Sequence, residues 1–79
     1  MNSIEDRLVR LIGDRFGLAP EELGPDVTFR ELEFDSLGLV ELAVIAQDEF
    51  GVPVSDDEFT SEHTLRTAAG LLADKGVRV

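Results

Sequence analysis

Cysteine, tryptophan and tyrosine are absent from this 79-residue chain, and histidine occurs once. Without cysteine there is neither a disulfide nor a thiolate zinc site to reinforce a small core, a usage that fits a reducing cytoplasm. Basic residues are scarce, with seven Lys and Arg against 17 Asp and Glu and a formal net charge of −10. Nucleic-acid binding rests on cations that neutralise phosphates, and adhesion to anionic membranes rests on the same cations, so neither partner suits this chain. No apolar run approaches the ~20 residues of a membrane span, and there is no secretory h-region. These absences describe a soluble, cytoplasmic protein. The single histidine, His63, has no nucleophile elbow to serve, and a serine nucleophile needs a base. Asp56-Asp57-Glu58 lacks the alternating spacing and glycine of a calcium loop. No glycine-rich phosphate cradle is present. The residues therefore predict no catalytic centre and no metal site.

What remains is a chain of one-domain length, residues 1–79, which buries only about 60% of its unfolded surface. The charge it carries is segregated. From Glu31 to Leu65 there is no Lys or Arg, while ten Asp and Glu fall in the same stretch. A surface made only for solubility intersperses the signs, so a one-signed middle points to docking of partners with basic patches.

Periodicity predicts an all-α fold, a small four-helix bundle with a short third helix and a long loop between the first and second. Ile4, Leu8, Leu11, Ile12 and Phe16 follow helical spacing, with Asn2 or Ser3 as cap and Gly17 as stop. Residues 18–34 hold Pro20, Gly24 and Pro25, yet Leu18, Leu23, Val27, Phe29, Leu32 and Phe34 recur through them and should pin the loop to the core. Thr28 and Glu31 have the spacing of a capping box and predict one helical turn. The second helix is expected over Ser36–Phe50, ended by Gly51 and Pro53. Ser55 to Glu58 repeats the capping-box spacing and predicts a short helix over 56–61. Thr64 is placed to cap a last helix in which Leu65, Ala68, Ala69 and Leu72 share a face. A short extended piece is expected at 52–54.

The second helix has two apolar faces. Leu39, Leu42, Ala43, Ala46 and Phe50 form one without charge, which should face the core. Leu37, Val40, Glu41, Val44 and Asp48 form the other. That face either packs on the long loop or is an exposed apolar strip rimmed by acid, the appearance of a protein-docking helix. Ser36 stands at its start. A serine there can cap the helix with its oxygen, and the free N–H groups of a helix N-terminus favour a negative group such as a phosphate.

Leu32-Glu33-Phe34-Asp35-Ser36-Leu37, then Val40-Glu41-Leu42, then Glu49-Phe50-Gly51-Val52, resembles the acyl carrier proteins over nearly the whole chain. The resemblance implies a 4′-phosphopantetheine arm, transferred from coenzyme A to the Ser36 hydroxyl by a phosphopantetheinyl transferase, with Asp35 helping to position that enzyme's magnesium. It implies that the arm's thiol carries acyl thioesters, and that Leu37, Val40, Glu41, Val44 and Asp48 meet ketosynthase, acyltransferase and other synthase enzymes. A carrier of this kind is expected to be non-catalytic and monomeric. Three residues depart from the common pattern: Glu33 stands where glycine is usual, Phe34 where a small residue is usual, and Ala46 where a larger apolar residue is often found. An aromatic at position 34 resembles the carriers of multi-protein polyketide systems and tilts the expectation from a fatty-acid towards a stand-alone polyketide carrier. Aminoacyl, D-alanyl or peptidyl carriage on the same arm remains an alternative. So does a small acidic interaction domain in which Ser36 is only a cap.

Overall fold

A computed structural model describes residues 3–77. Among them the order is α1 (Ser3–Phe16), a single 3₁₀ turn (Pro20–Glu22), α2 (Ser36–Phe50) and α3 (Leu65–Asp74). Asn2, one of the two candidate caps of α1, lies outside the described residues. The bounds of α1 and α2 match the expected spans, because each ends where the backbone turns left-handed at a glycine. Gly17 has φ 68° and Gly51 φ 70°, conformations an L side chain would strain, and their N–H groups close the last turns on the carbonyls of Gly13 and Gln47. Thr64 caps α3 as expected, its Oγ1 accepting from Thr67 N–H at 3.1 Å. No described helix is long and apolar enough to cross a membrane.

One apolar cluster holds the helices together. Ile4, Leu8, Leu11 and Ile12 of α1 meet Leu65, Ala68, Ala69 and Leu72 of α3, and Leu39, Leu42, Ala43, Ala46 and Phe50 close the third side. The long loop joins this cluster through Leu23 and Phe29. Phenylalanine does much of the filling. Phe16, Phe34, Phe29 and Phe59 form a row with successive ring centroids 4.8, 5.4 and 6.0 Å apart, all tilted, within the favourable range for aromatic pairs. The fifth phenylalanine, Phe50, lies under the Arg7 guanidinium at 4.6 Å, a cation–π contact that ties α1 to the end of α2.

The short helix expected over 56–61 does not form, so three α-helices stand where four were expected. Two consecutive turns replace it. Glu58 N–H donates to the Ser55 carbonyl at 3.0 Å and His63 N–H to the Thr60 carbonyl at 3.1 Å. The Glu58 carboxylate turns back on the Ser55 backbone and also pairs with Lys75 Nζ at 2.9 Å, yet the turn is not continued into a helix. Six residues are too few to sustain a helix without packing help, and burying Phe59 redirects the chain. Residues 52–54 form no strand; Thr28 and Thr64 make the isolated β-bridge instead.

Around that bridge the long loop is stitched to the segment before α3. Phe29 and Arg30 N–H donate to the carbonyls of His63 (3.0 Å) and Ser61 (2.9 Å), and Arg66 N–H donates to the Pro25 carbonyl (3.0 Å). His63 serves this architecture with its ring as well, Nδ1 accepting from Thr60 N–H at 3.2 Å.

The Lys75–Glu58 pair is less exposed than the Arg30–Glu62 and Arg66–Asp26 pairs, with the Glu58 side chain 18% accessible. The hydrogen bond from Lys75 holds the Glu58 carboxyl below its ordinary value of 4.5, outweighing the partial burial that pushes it up. A carboxyl lowered in the folded state adds stability that is full above 4.5 and is lost as the pH falls through the folded value. Lys75→Met should therefore melt about 2–4 °C below the unmodified chain at pH 7, with the gap narrowing as the pH falls below 4.5 and Glu58 becomes protonated. A gap that does not narrow, read by circular dichroism, would assign the effect to packing rather than charge.

Candidate functional site

The site is built where the long loop enters α2. Thr28 and Glu31 complete their capping box in both directions: Glu31 N–H donates to Thr28 Oγ1 and Thr28 N–H to Glu31 Oε2, each at 3.1 Å. The resulting turn brings Phe34 N–H to the Phe29 carbonyl at 3.0 Å. Glu33 carries the chain out of it with φ 63°, a left-handed conformation costing a non-glycine residue roughly 1–2 kcal/mol. The usual glycine would avoid that cost, and its absence here leaves an exposed carboxylate at the turn.

Asp35, not Ser36, is the helix cap. Its backbone is extended (φ −87°, ψ −176°), its Oδ1 accepts from Gly38 N–H at 2.7 Å and its carbonyl from Leu39 N–H at 3.0 Å. Ser36 is thereby the first helical residue, a correction to the expectation that its oxygen caps the helix. The reason is geometric: a cap needs extended φ and ψ, and that conformation belongs to Asp35. The consequence is chemical. Ser36 is exposed, and among the described residues nothing hydrogen-bonds its hydroxyl. The backbone N–H groups of Ser36 and Leu37 also have no partner there, the unmet donors of a helix start.

Gly38 is a contributor that the pattern of apolar residues did not flag. A Cβ at this position would stand 3.2 Å from Asp35 Oδ1, so any other residue would require the capping carboxylate to shift by a few tenths of an ångström. The signal available in the sequence was a glycine in the first turn of a helix, three residues after an aspartate.

The second face of α2 runs down from this point. Leu37 is 77% exposed and Val44 57%, Val40 is half-buried, and Glu41 and Asp48 are exposed. The loop covers neither Leu37 nor Val44. Beside Ser36 an open cleft of about 400 Å³ is walled by Phe16 at the end of α1, by Leu18 and residues 32–35 of the loop, and by Leu37, Gly38 and Glu41 of α2.

A family profile described as a phosphopantetheine attachment site matches residues 6–72. The chain belongs to the acyl carrier protein family. Over 74 residues it is 34% identical to an acyl carrier protein of Nitratidesulfovibrio vulgaris strain DP4, covering 92% of this chain and 97% of that one. It is 39% identical over 64 residues to an acyl carrier protein of Thermobifida fusca strain YX, covering 80% and 81%. Another from Nitratidesulfovibrio vulgaris strain Miyazaki F is 39% identical over 57 residues, 71% and 75% of the two chains. No solved structure matches.

As an acyl carrier protein the chain is a non-catalytic carrier of 4′-phosphopantetheine. It works with a phosphopantetheinyl transferase and with synthase enzymes. The start of α2 fits that group. It offers an accessible hydroxyl not used in capping, and two unmatched N–H groups with the positive end of the helix dipole to face a phosphodiester. The thiol chemistry belongs to the arm, so a carrier without cysteine loses nothing.

Proposed function

We propose that this carrier is the stand-alone acyl carrier of a dissociated polyketide or fatty-acid synthase, acting as one cytoplasmic, monomeric domain. It holds acyl intermediates as thioesters on an arm joined to Ser36. The observation that carries this reading is the exposed Ser36 hydroxyl left over once Asp35 takes the capping role. In attachment, Ser36 Oγ forms the new P–O bond to the pantetheine-side phosphorus of coenzyme A. The bond to the nucleotide phosphate breaks, and the hydroxyl proton is lost to base. Phe34, an aromatic between Phe16 and Phe29, favours the polyketide branch. The test incubates the chain with coenzyme A, magnesium and a broad-specificity transferase and weighs it. Gain of one phosphopantetheine, located on the peptide containing Ser36, is expected; no gain sinks the reading. Loading by a malonyl-directed acyltransferase, compared with loading by an adenylating enzyme, then separates polyketide from aminoacyl cargo.

Asp35 has two duties in this reading, capping the helix and helping to place the transferase's magnesium, and one substitution separates them. Asparagine caps as well as aspartate. Asp35→Asn should keep the melting temperature within about 2 °C while slowing phosphopantetheine attachment by about tenfold or more, equivalent to about 1.4 kcal/mol in the barrier. Attachment at the unmodified rate would leave Asp35 as a cap alone.

The partners proposed are the transferase, a ketosynthase and an acyltransferase, meeting Leu37, Val40, Glu41, Val44 and Asp48. The support is an apolar strip with an acidic rim, which suits transient docking on basic entrances. Reversing Glu41 and Asp48 together to Lys should slow loading about tenfold at low salt, with the difference shrinking as salt rises. The circular dichroism should not change. Equal rates at low salt would remove both residues from the docking face.

A further inference from the structure

We propose that the cleft beside Ser36 seats the near half of the protein's own arm, its branched pantoyl segment, and so sets the direction in which the arm leaves the helix. This rests on Ser36 being the attachment point. Position is the first argument. Leu37 and Gly38, the two residues after Ser36, form part of the cleft wall, and Phe34 and Asp35, the two before it, form another part. Ser36 itself does not line the cleft, but with both of its chain neighbours in the wall an arm bonded to it starts within reach of the cleft.

Chemistry is the second argument. Next to its phosphate the pantoyl segment has a carbon bearing two methyl groups, then a hydroxyl, then an amide N–H. The cleft offers surfaces of both kinds. Phe34, Leu37 and Leu18 supply apolar area for the methyl groups. Leu37 is 77% exposed without such cover. Glu33, Asp35 and Glu41 line the cleft with carboxylates, which only accept, opposite a segment whose hydroxyl and amide donate. The same carboxylates keep the phosphodiester out of the cleft, over the unmatched N–H groups of Ser36 and Leu37, where the helix dipole favours it. At about 400 Å³ the cleft lies at the lower end of the ~300–1,000 Å³ found for small-molecule sites. Glu33 also finds a use: the strained turn that glycine would relax holds a carboxylate at this cleft.

The experiment compares the apo chain with the arm-bearing chain, the latter verified by mass, in solution by NMR. Nuclear Overhauser contacts are expected from the arm's two methyl groups to the Phe34 ring and the Leu37 and Leu18 methyls, with amide shift changes extending to residues 16–18 at and just after the end of α1. Leu37→Ala, which removes an exposed side chain and should leave the fold intact, is expected to at least halve the shift changes at 16–18. An arm-bearing chain whose spectrum differs from the apo chain only at residues 35–38 would overturn the proposal. So would contacts made by the thiol-end ethylene in place of the pantoyl methyls. A chain that gains no mass at all overturns the attachment reading, a result distinct from either.

Discussion

Replacing Ser36 with alanine should abolish phosphopantetheine attachment completely and leave the melting temperature within about 2 °C of the unmodified chain. Both halves follow from which residue caps α2. A serine that caps a helix loses about 1 kcal/mol of stability when truncated to alanine, several degrees in a domain of this size. Ser36 does not cap. Gly38 N–H is already satisfied by Asp35 at 2.7 Å, and Leu39 N–H by the Asp35 carbonyl at 3.0 Å. Alanine also suits a helical position as well as any residue. Mass spectrometry after incubation with coenzyme A and transferase reads the first half, and thermal melting reads the second. Persistent gain of mass on Ser36→Ala would move the attachment point to another hydroxyl. A fall of several degrees would return the hydroxyl to a capping role and restore the reading of a small interaction domain.

Phe29→Ala should cost about 3–5 kcal/mol, enough to leave much of the chain unfolded at 37 °C. Phe29 is fully buried and is the link between Phe34 and Phe59 in the aromatic row. Its N–H also anchors the long loop to His63. Truncation opens a cavity at the junction of the loop, the 55–63 turns and the core, where several elements would have to move to refill it. A domain of this size has only about 4–12 kcal/mol in total. The melting temperature should fall by about 15–30 °C, while Phe29→Leu should fall by less than half as much. A fall below about 5 °C for alanine would show that the row is not what holds the loop. Because this loop delivers Glu33, Asp35 and Ser36 to the start of α2, attachment on Phe29→Ala should fail in parallel with the fold.

The site was legible in outline because its signals are local. Asp-Ser-Leu at the start of an apolar-periodic run, with acidic residues and no cations around it, marks a helix N-terminus and its charge whatever the rest of the chain does. The two faces of α2 were equally legible, since a 100° step per residue assigns each side chain to a side. Which of two adjacent polar residues caps was not legible. Asp35 and Ser36 are both good caps, and the choice depends on backbone angles set by Glu33 and on the room that Gly38 leaves. Whether Leu37 and Val44 are covered was also undecided, because the answer depends on where a 19-residue connection lies in space.

By itself the sequence determined the three α-helices, the glycines that stop the first two, the buried face of each helix, the mixed acidic and apolar second face of α2 and the family. These rest on periodicity, composition and short motifs, which act over a few residues. Only the tertiary structure decided that residues 56–61 turn rather than coil into a helix, since the burial of Phe59 and the Glu58–Lys75 pair draw the segment onto the core and the end of α3. It alone decided that the Ser36 hydroxyl is left free and that a cleft opens next to it. Those outcomes depend on groups distant in the chain, Phe16 beside Phe34 and Glu58 beside Lys75, and distances of that kind come from the packing of the whole molecule.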